Sequence, residues 1–353
     1  MSPATVNASI ENPAEGPAVA AQIAPEITAR SALAVDLTSG LQLFNHEGDA
    51  RVAPASTMKI VTVLAARGVL PPGEQVTVTE ADLVLPDDYS KMGLENGDVV
   101  TVEALFYGAL LSSGGDAALA LARVAGKRLD PSTSDPVARF MDEVNRYAES
   151  INMHSSHFSN PVGIDAPDHY TTARDLIRAT ERLLADPLLA RITATPEVIV
   201  TVGGPNAREL YLVSTNQFVL DGTSIGGKTG TTDLAGECLI NVTQHGHHTV
   251  VSVVMGSDDR YVETQALMAN VEERYRFVPL GVGSSVLGVT EELALQGLAF
   301  PVGTTVLMTP RQADALTYTL QLTGDRSPNG KAGVVTFMTG GRVVRALPVH
   351  TVD

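Results

Sequence analysis

A serine and a lysine three residues apart stand at the start of an apolar helical stretch. Ser56 and Lys59 lead into the apolar run 60–66, and this spacing places both side chains on one face of the first helical turn. Backbone N–H groups and the helix dipole at that end favour negative charge and disfavour a protonated amine. A serine that becomes an alkoxide and a lysine that loses its proton to act as a base both suit such a position.

Lysine usage makes Lys59 more informative than the spacing alone, which arises by chance in many chains. Only five of the 24 basic residues are lysine, and the rest are arginine. Arginine cannot act as a base, so a lysine at position 59 is what proton transfer needs. A helix N-cap followed by a solvated lysine is the alternative that these two residues leave open.

The composition describes an acidic globular chain. Its 353 residues are enough for one large domain and a small one, and 44% hydrophobic with 18% charged residues is ordinary for a soluble protein. The formal net charge of −16 argues against nucleic acid and anionic membrane surfaces as partners. No apolar run approaches the ~18–20 residues of a transmembrane helix, and no signal-peptide or other export signal is visible in this chain.

Cysteine and histidine usage gives little support to a disulfide or a metal. The single cysteine, Cys238, excludes an intrachain disulfide and is expected to be a buried core thiol. The histidines at 154 and 157 and those within 245–248 have ligand-like spacing, but neither group forms a His-Glu-x-x-His motif. We expect both groups to be surface features, which disfavours a metallopeptidase, and we predict no cofactor.

Strand and helix patterns follow one another in blocks. Residues 1–27 lack periodicity and are predicted to be a disordered leader or linker. The predicted strands form a hairpin over 32–44 and return at 198–202, 209–213, 237–242 and 249–255. The predicted helices begin at caps Thr101, Ser134–Asp135 and Thr172, and a last amphipathic helix covers about 263–277.

This block order predicts an α+β (α/β) fold with two folded parts. Over 28–280 it gives an antiparallel sheet flanked by helices, with a separate helical lobe and Ser56 facing the cleft between the two. Over 281–353 short β-like runs alternate with Gly, Pro and Asn turns, which predicts a small β-rich C-terminal domain. Its end shows no basic amphipathic helix, so a C-terminal membrane anchor is not indicated.

Three short motifs occur in a fixed order, and they carry a resemblance. They are Ser56-x-x-Lys59, Ser113-Gly114-Gly115 and Lys228-Thr229-Gly230. With the connecting segments 89–94, 110–118, 158–165 and 169–175, the chain over about 28–278 resembles the penicillin-recognising serine acyl-transferases. It is most similar to the low-molecular-mass D-alanyl-D-alanine carboxypeptidases of the penicillin-binding proteins, which implies a β-lactamase/transpeptidase-like fold.

The motifs supply the groups that acyl transfer needs: a nucleophile with a base, a proton donor for the departing amine, and donors for the oxyanion. Ser56 would attack the scissile carbonyl, Lys59 would take its proton and Ser113 would relay a proton to the leaving group. Lys228 would supply positive charge for a substrate carboxylate, beside the hydroxyls of Thr229 and Thr231. A lysine in solvent and a helix N-cap are the plain alternatives for Lys228 and Ser113.

The edge of the third motif is expected to receive the substrate. Gly226, Gly227 and Gly230 would let an extended peptide pair with the strand without a Cβ in the way. The resemblance, and not the spacing, implies that the oxyanion hole is formed by the backbone N–H groups of Ser56 and Thr231.

The second motif departs from the family, which usually has Ser-x-Asn where this chain has Gly115. In the family that asparagine contacts both the lysine next to the nucleophile and the substrate. Its loss removes hydrogen bonds of about 1 kcal/mol each. Water or Asp116 is the expected replacement, and with Ser56, Lys59 and Lys228 present we still expect an active enzyme.

The resemblance implies peptidoglycan stem peptides ending in D-Ala-D-Ala as substrate, β-lactams as covalent inhibitors and an extracytoplasmic location. Two alternatives share the fold. A β-lactamase would need a glutamate to hydrolyse its acyl-enzyme, and no Glu-x-x-Leu-Asn segment lies between Ser113 and Lys228. A wall-binding or sensory domain that acylates without turnover is the other.

Overall fold

The computed structural model describes residues 27–280, 288–301, 303–323, 327 and 330–352. The predicted leader 1–27 therefore lies outside the described residues except for Ile27, and so does the start of the predicted C-terminal domain, 281–287.

The described elements alternate in blocks, as the sequence indicates. In chain order the strands are β1 (Ser31–Asp36), β2 (Leu41–His46), β3 (Gln75–Thr77), β4 (Val99–Thr101), β5 (Glu197–Val202), β6 (Arg208–Val213), β7 (Gly226–Thr232), β8 (Gly236–His245), β9 (His248–Ser257), β10 (Arg276–Leu280), β11 (Leu298–Ala299), β12 (Thr304–Met308), β13 (Leu316–Leu322), β14 (Lys331–Thr339) and β15 (Arg342–Thr351). The α-helices are α1 (Lys59–Arg67), α2 (Val102–Leu110), α3 (Gly115–Leu129), α4 (Pro136–Ser150), α5 (Ala173–Ala185), α6 (Pro187–Thr193), α7 (Gln217–Leu220), α8 (Arg260–Arg274), α9 (Val289–Ala294) and α10 (Pro310–Asp314). Short 3₁₀ helices occupy Ala55–Met58 and Glu80–Leu83.

A five-stranded antiparallel sheet forms the centre, in the order β2-β1-β9-β8-β7. The first hairpin lies beside β9, more than 200 residues later in the chain, with Ser31 opposite Met255. Strand β7 stands at one edge of this sheet, so one side of its backbone is available for other partners. The predicted strands 198–202 and 209–213 exist, but they pair with each other in a separate two-stranded sheet.

The helix after Ser56 lies at the centre of the fold. Residues Lys59 to Ala66 of α1 are all buried, as expected for a helix that is apolar on every side. Helices α2 to α6 surround it and share one hydrophobic core with the inner face of the sheet. Ser56 itself lies in the preceding 3₁₀ turn and not in the α-helix, which begins only at Lys59.

The predicted caps are confirmed by side-chain hydrogen bonds to the first turns. Thr101 accepts from Ala104 N–H, Asp135 from Ala138 N–H, and Thr172 from Asp175 N–H. These bonds satisfy donors that the first turn of a helix leaves unpaired. The last predicted helix is shifted: α8 covers Arg260–Arg274, and Phe277 belongs to strand β10.

The C-terminal part has a hydrophobic cluster of its own beneath a four-stranded sheet in the order β11-β15-β14-β13. Strands β10 and β12 form a separate pair that joins this part to the end of α8. In the described stretches, no helix combines the length and the apolar character that crossing a membrane requires.

Candidate active site

Ser56 sits in a tight turn at the base of a cleft. The preceding residue, Ala55, has a φ of 46°, a conformation that side-chain-bearing residues rarely adopt. Thr57 stabilises the turn, because its side-chain hydroxyl donates to the Pro54 carbonyl. A strained backbone fixed in this way is typical of functional sites.

Lys59 is positioned to exchange a proton with Ser56. Its side chain is 1% exposed, and Nζ donates to Ser56 Oγ at 2.6 Å and to the Val162 carbonyl at 2.8 Å. Burial lowers the pKa of Lys59 to about 7, against an opposing effect of the Asp116 charge. Near neutral pH a substantial fraction of this amine is therefore unprotonated and can act as a base.

The Val162 carbonyl is held in place by a side chain that sequence reasoning did not single out. Asn160 Oδ1 accepts hydrogen bonds from the backbone N–H groups of Val162, Gly163 and Ile164, at 3.2, 2.8 and 3.0 Å. Asparagine commonly stabilises turns through its own backbone neighbours, and the Asn-Pro-Val-Gly sequence was the available signal. Asn160 thus positions one of the two acceptors of Lys59.

Ser113 lies where the sequence places it, on the short connection between α2 and α3. It has a φ of 58°, in the left-handed region. The Gly114 N–H donates to the Gly108 carbonyl at 2.8 Å and closes the end of α2. The Ser113 side chain lines the same cleft as Ser56.

Lys228 is buried and not the solvated strand lysine of the alternative interpretation. It is 1% exposed, and Nζ donates to the Thr229 carbonyl at 2.8 Å. Burial, followed by the nearby charges of Lys59 and Arg260, lowers the pKa of Lys228 well below its ordinary value. A bound carboxylate would oppose that effect and favour the charged form.

Strand β7 faces the cleft with its open edge. Gly227 and Thr193 exchange two hydrogen bonds on that side: Gly227 N–H donates to Thr193 Oγ1 at 2.9 Å, and the hydroxyl donates to the Gly227 carbonyl at 2.8 Å. Backbone groups alternate between the two sides of a strand, so those of Thr229 and Thr231 also point away from β8. The edge open to another strand therefore begins after Gly227, and there the Thr229 carbonyl also accepts from Lys228 Nζ.

The glycines of β7 also serve the protein's own packing, and their role beside a bound peptide stays a prediction. A Cβ on Gly230 would lie 2.8 Å from the Ser56 amide nitrogen and 3.0 Å from that of Thr57. A Cβ on Gly227 would meet the Ile240 carbonyl oxygen at 1.9 Å. Gly230 thus allows the strand to lie directly against the turn that carries the nucleophile.

Arg260 contacts the third motif, and sequence reasoning missed this contact. Its guanidinium donates to Thr231 Oγ1 and, at 3.0 Å, to the Gly230 carbonyl, and it pairs with Glu237 at 3.1 Å. An arginine in the first turn of a helix is disfavoured by the dipole, so its placement in α8 is unusual, but nothing in the local sequence links it to β7.

Asp116 does not take the role expected for it at the second motif. The Asp116 carboxylate accepts from the backbone N–H groups of Met92, Gly93 and Leu94, at 2.7, 2.9 and 3.1 Å. It is therefore not available to replace the family's asparagine, which corrects that expectation. Gly115 starts α3 and is buried.

The cleft has a volume of about 770 Å³ and brings most of the predicted residues to one place, but Gly115 does not line it. Ser56, Ser113, Thr229, Gly230 and Thr231 line it, whereas the buried Lys59 and Lys228 lie beneath its surface. Carboxylates surround the opening, namely Asp88, Asp165, Asp233, Glu237, Asp258 and Asp259. Burial, Asp165 and Asp88 together raise the pKa of Tyr89 there.

The histidines form no metal site. Among the described residues, no group of three or more His, Cys, Asp or Glu side chains could hold a metal ion. His154 is exposed beside Glu149, but His248 is only 5% exposed, which corrects its expected surface position. Its ring contacts Asp36 Oδ2 at 2.8 Å and the Thr305 carbonyl at 3.0 Å, joining the central sheet to β12.

The sequence profile of the peptidase S11 family, D-alanyl-D-alanine carboxypeptidase, matches residues 18–259. The chain belongs to this family. D-alanyl-D-alanine carboxypeptidase DacF of Bacillus subtilis (strain 168) is 26% identical over 262 residues, which cover 71% of this chain and 64% of that relative. This chain thus spans less than two thirds of that protein.

Solved structures confirm the predicted fold. The crystal structure of the Streptomyces K15 DD-transpeptidase matches with a TM-score of 0.65 and 28% identity, over 71% of this chain and 99% of that one. D-alanyl-D-alanine carboxypeptidase DacD from Francisella tularensis, at 20% identity, matches in fold over 94% of each chain with a TM-score of 0.65. The second match extends the structural likeness into the C-terminal part.

Proposed function

We propose that the protein is a serine-type D-alanyl-D-alanine carboxypeptidase that acts on peptidoglycan stem peptides through a Ser56 acyl-enzyme. One observation carries this proposal. The buried amine of Lys59 lies 2.6 Å from Ser56 Oγ, at the base of a cleft whose wall is the free edge of β7. A nucleophile in contact with a base of lowered pKa is what acyl transfer requires.

Acylation proceeds by proton transfers among the motif residues. The Ser56 Oγ attacks the carbonyl carbon of the penultimate D-alanine while neutral Lys59 accepts the hydroxyl proton. The N–H groups of Ser56 and Thr231 stabilise the oxyanion. When the tetrahedral intermediate collapses, the C–N bond breaks and the terminal D-alanine leaves after its amine takes a proton through Ser113. Water then hydrolyses the ester.

Substrate binding uses the free edge of β7. An extended stem peptide pairs with the backbone of Thr229 and Thr231 as an added strand. The terminal carboxylate of the peptide is attracted by Lys228 and Arg260, and the hydroxyls of Thr229 and Thr231 lie beside them. Gly115 is buried at the start of α3 and does not line the cleft.

The β-lactam ring places a strained amide on the same nucleophile, so penicillins are expected to acylate Ser56. A β-lactamase would in addition need an activated water for fast hydrolysis. Glu143 and Glu149 of α4 pair with Arg146 and His154, and neither lines the cleft. Glu237 lines the cleft but is paired with Arg260. No observation therefore favours rapid turnover of the drug.

The proposal includes domain organisation and location. We assign residues 28–280 to the peptidase domain, 281–353 to a small β-rich domain and 1–27 to a leader or linker. The two folded parts have separate hydrophobic clusters, and the cluster of the C-terminal part includes Val278 and Leu280 from the end of the first part. A peptidoglycan substrate implies action outside the cytoplasmic membrane.

Intact mass after incubation with benzylpenicillin tests the nucleophile. We expect a stable adduct on the wild type and none on Ser56→Ala, with Ser155→Ala as a matched control that still forms the adduct. Release of D-alanine from a peptide ending in D-Ala-D-Ala, but not from its L-Ala-L-Ala counterpart, then tests the activity. An adduct without D-alanine release would identify a wall-binding domain. Rapid loss of the adduct, together with hydrolysed drug, would identify a β-lactamase.

A further inference from the structure

The space beside Gly115 is already filled by a neighbouring side chain. A Cβ at this position would lie 2.9 and 3.0 Å from the two Cδ atoms of Leu85 and 3.1 Å from Val162 Cγ1. The contact at 2.9 Å is closer than real Cβ atoms come to another heavy atom, so the end of the Leu85 side chain would have to move to admit a Cβ here. Gly115 lies in the first turn of α3, where any residue fits the backbone, so the packing of Leu85 and not the φ angle of Gly115 decides which side chain fits here.

Leu85 belongs to a segment that is fixed over the start of α3. The Gly115 N–H donates to the Ser90 carbonyl at 2.8 Å, and Asp116 binds the amides of 92–94. Within this segment Leu85 is partly buried, whereas the neighbouring Val84 is 77% exposed. Leu85 is therefore directed into the fold, toward Gly115.

The same contact reaches the environment of the base. Val162 touches the space at Gly115 with a side-chain methyl, and its carbonyl accepts the hydrogen bond from Lys59. Leu85, Gly115 and Val162 thus pack together, and Val162 connects this packing to the lysine. The family's asparagine offers Lys59 a polar contact from this position, whereas leucine has no polar group.

We propose that Leu85 is a positioning residue of the acylation site, which occupies the space of the second motif's missing side chain and shields Lys59 from water. This inference rests on the proposed function of Ser56 and Lys59. Leu85 contributes no hydrogen bond to the substrate. It affects the reaction by packing against Val162 and by excluding water from Lys59.

In this protein, the removal of water from Lys59 would therefore take the place of the hydrogen bond that the family's asparagine makes to this lysine. Burial is the main cause that lowers the pKa of Lys59 to about 7. Opening the contact would admit water, reduce that desolvation and raise the pKa again. The rate of acylation at neutral pH would then fall, because less of the amine would be unprotonated.

Gly115→Asn, Leu85→Ala and the double variant test the proposal, with the second-order rate of acylation by benzylpenicillin as the readout. We expect Gly115→Asn alone to acylate about tenfold or more slowly, since the new side chain overlaps Leu85. The double variant should acylate at least about fivefold faster than Gly115→Asn, because the two changes are coupled by contact. Thermal unfolding of the same proteins should show the same pattern.

Leu85→Ala alone supplies a readout that a purely structural role would not move. The midpoint of its pH–rate profile should lie above the wild-type value, whereas the matched control Val84→Ala should keep both midpoint and rate. A double variant no faster than Gly115→Asn, or an unshifted Leu85→Ala profile, would overturn the role of Leu85 while the wild-type adduct still supports the proposed function. A wild type without any adduct would instead contradict the proposed function itself.

Discussion

Lys59 Nζ lies 2.6 Å from Ser56 Oγ while the lysine side chain is almost completely removed from solvent. The charged form of a buried amine is disfavoured, which gives Lys59 a pKa of about 7. We therefore expect the benzylpenicillin acylation rate to rise with pH through about 7 and to level off above it. Stopped reactions between pH 5 and pH 9, analysed by intact mass, measure this profile.

Lys59→Arg tests whether Lys59 acts as a base or only through its positive charge. Arginine keeps the positive charge but cannot release its proton, so we expect acylation to fall at least about 10³-fold. Lys127→Arg, an exposed change on α3, should stay within about twofold of the wild type. Substantial acylation by Lys59→Arg would show that another group takes the proton of Ser56.

The same lysine makes stability depend on pH. The pKa of Lys59 is about 7 in the folded state and near 10.5 in the unfolded one, so the unfolded chain binds more protons between these values. Stability contributed by this group therefore rises as the pH rises from about 7 toward 10 and is lowest below 7. Lys59→Met should be more stable than the wild type by a margin that shrinks by on the order of 3–5 kcal/mol between pH 6 and pH 10.

Urea unfolding of the wild type and Lys59→Met at both pH values, at constant ionic strength, measures that margin. The difference between the two proteins cancels titration of the other groups. A margin that does not change with pH would mean that Lys59 keeps an ordinary pKa in the folded protein.

Asp116 joins the second motif to the segment over the cleft. Its carboxylate accepts from three amides at 92–94 and also from Ala117 N–H, so both oxygens are fully used. In Asp116→Asn an amide NH₂ would face two N–H donors. We expect a loss of about 2–4 kcal/mol in the free energy of unfolding.

Asp142→Asn is the matched control for this change, because Asp142 is exposed on α4. It should alter the free energy of unfolding by less than about 0.5 kcal/mol. Equal stability of the two variants in chemical denaturation would contradict the role given to Asp116.

Thr193 closes the part of the β7 edge that precedes the binding positions. Thr193→Val keeps the shape of the side chain but removes both hydrogen bonds to Gly227. We expect a loss of about 1–3 kcal/mol in unfolding free energy, since two buried backbone groups lose their partner. Because β7 lies against the Ser56 turn, acylation should also slow by about threefold to tenfold.

Thr195→Val removes one hydrogen bond, to the Arg191 carbonyl, at a partly exposed site and serves as the control. Unfolding and acylation of both valine variants can be followed on the same preparations. If Thr193→Val matched Thr195→Val in both measurements, the edge at Gly227 would not depend on Thr193.

Local signals made much of this fold predictable. The caps at Thr101, Asp135 and Thr172 lie where the sequence indicates, because a cap needs only its own first turn. The motif serines and lysines were found for a similar reason, since their types and order are visible along the chain. The 3₁₀ turn at Ser56 was missed, as apolar periodicity does not distinguish it from an α-helical start.

Residues that act through distant contacts left no such signal. Arg260 reaches β7 from the start of α8, and Leu85 reaches Gly115 from an irregular segment. Both contacts depend on how separate elements pack, which no local pattern encodes. The contact of Gly230 with the Ser56 turn was missed for the same reason, because that turn lies more than 170 residues away in the chain.

The pairing of β1 with β9 has a consequence for when the protein becomes reactive. The central sheet cannot close until the chain has been made beyond residue 257, and the arginine behind β7 follows at 260. Pairings between such distant segments form late in folding. Before the central sheet closes, Lys59 is hydrated and Ser56 is an ordinary alcohol. We therefore expect that acyl donors do not acylate Ser56 in an incomplete chain. Labelling by a penicillin would therefore report the fraction of molecules that have finished folding.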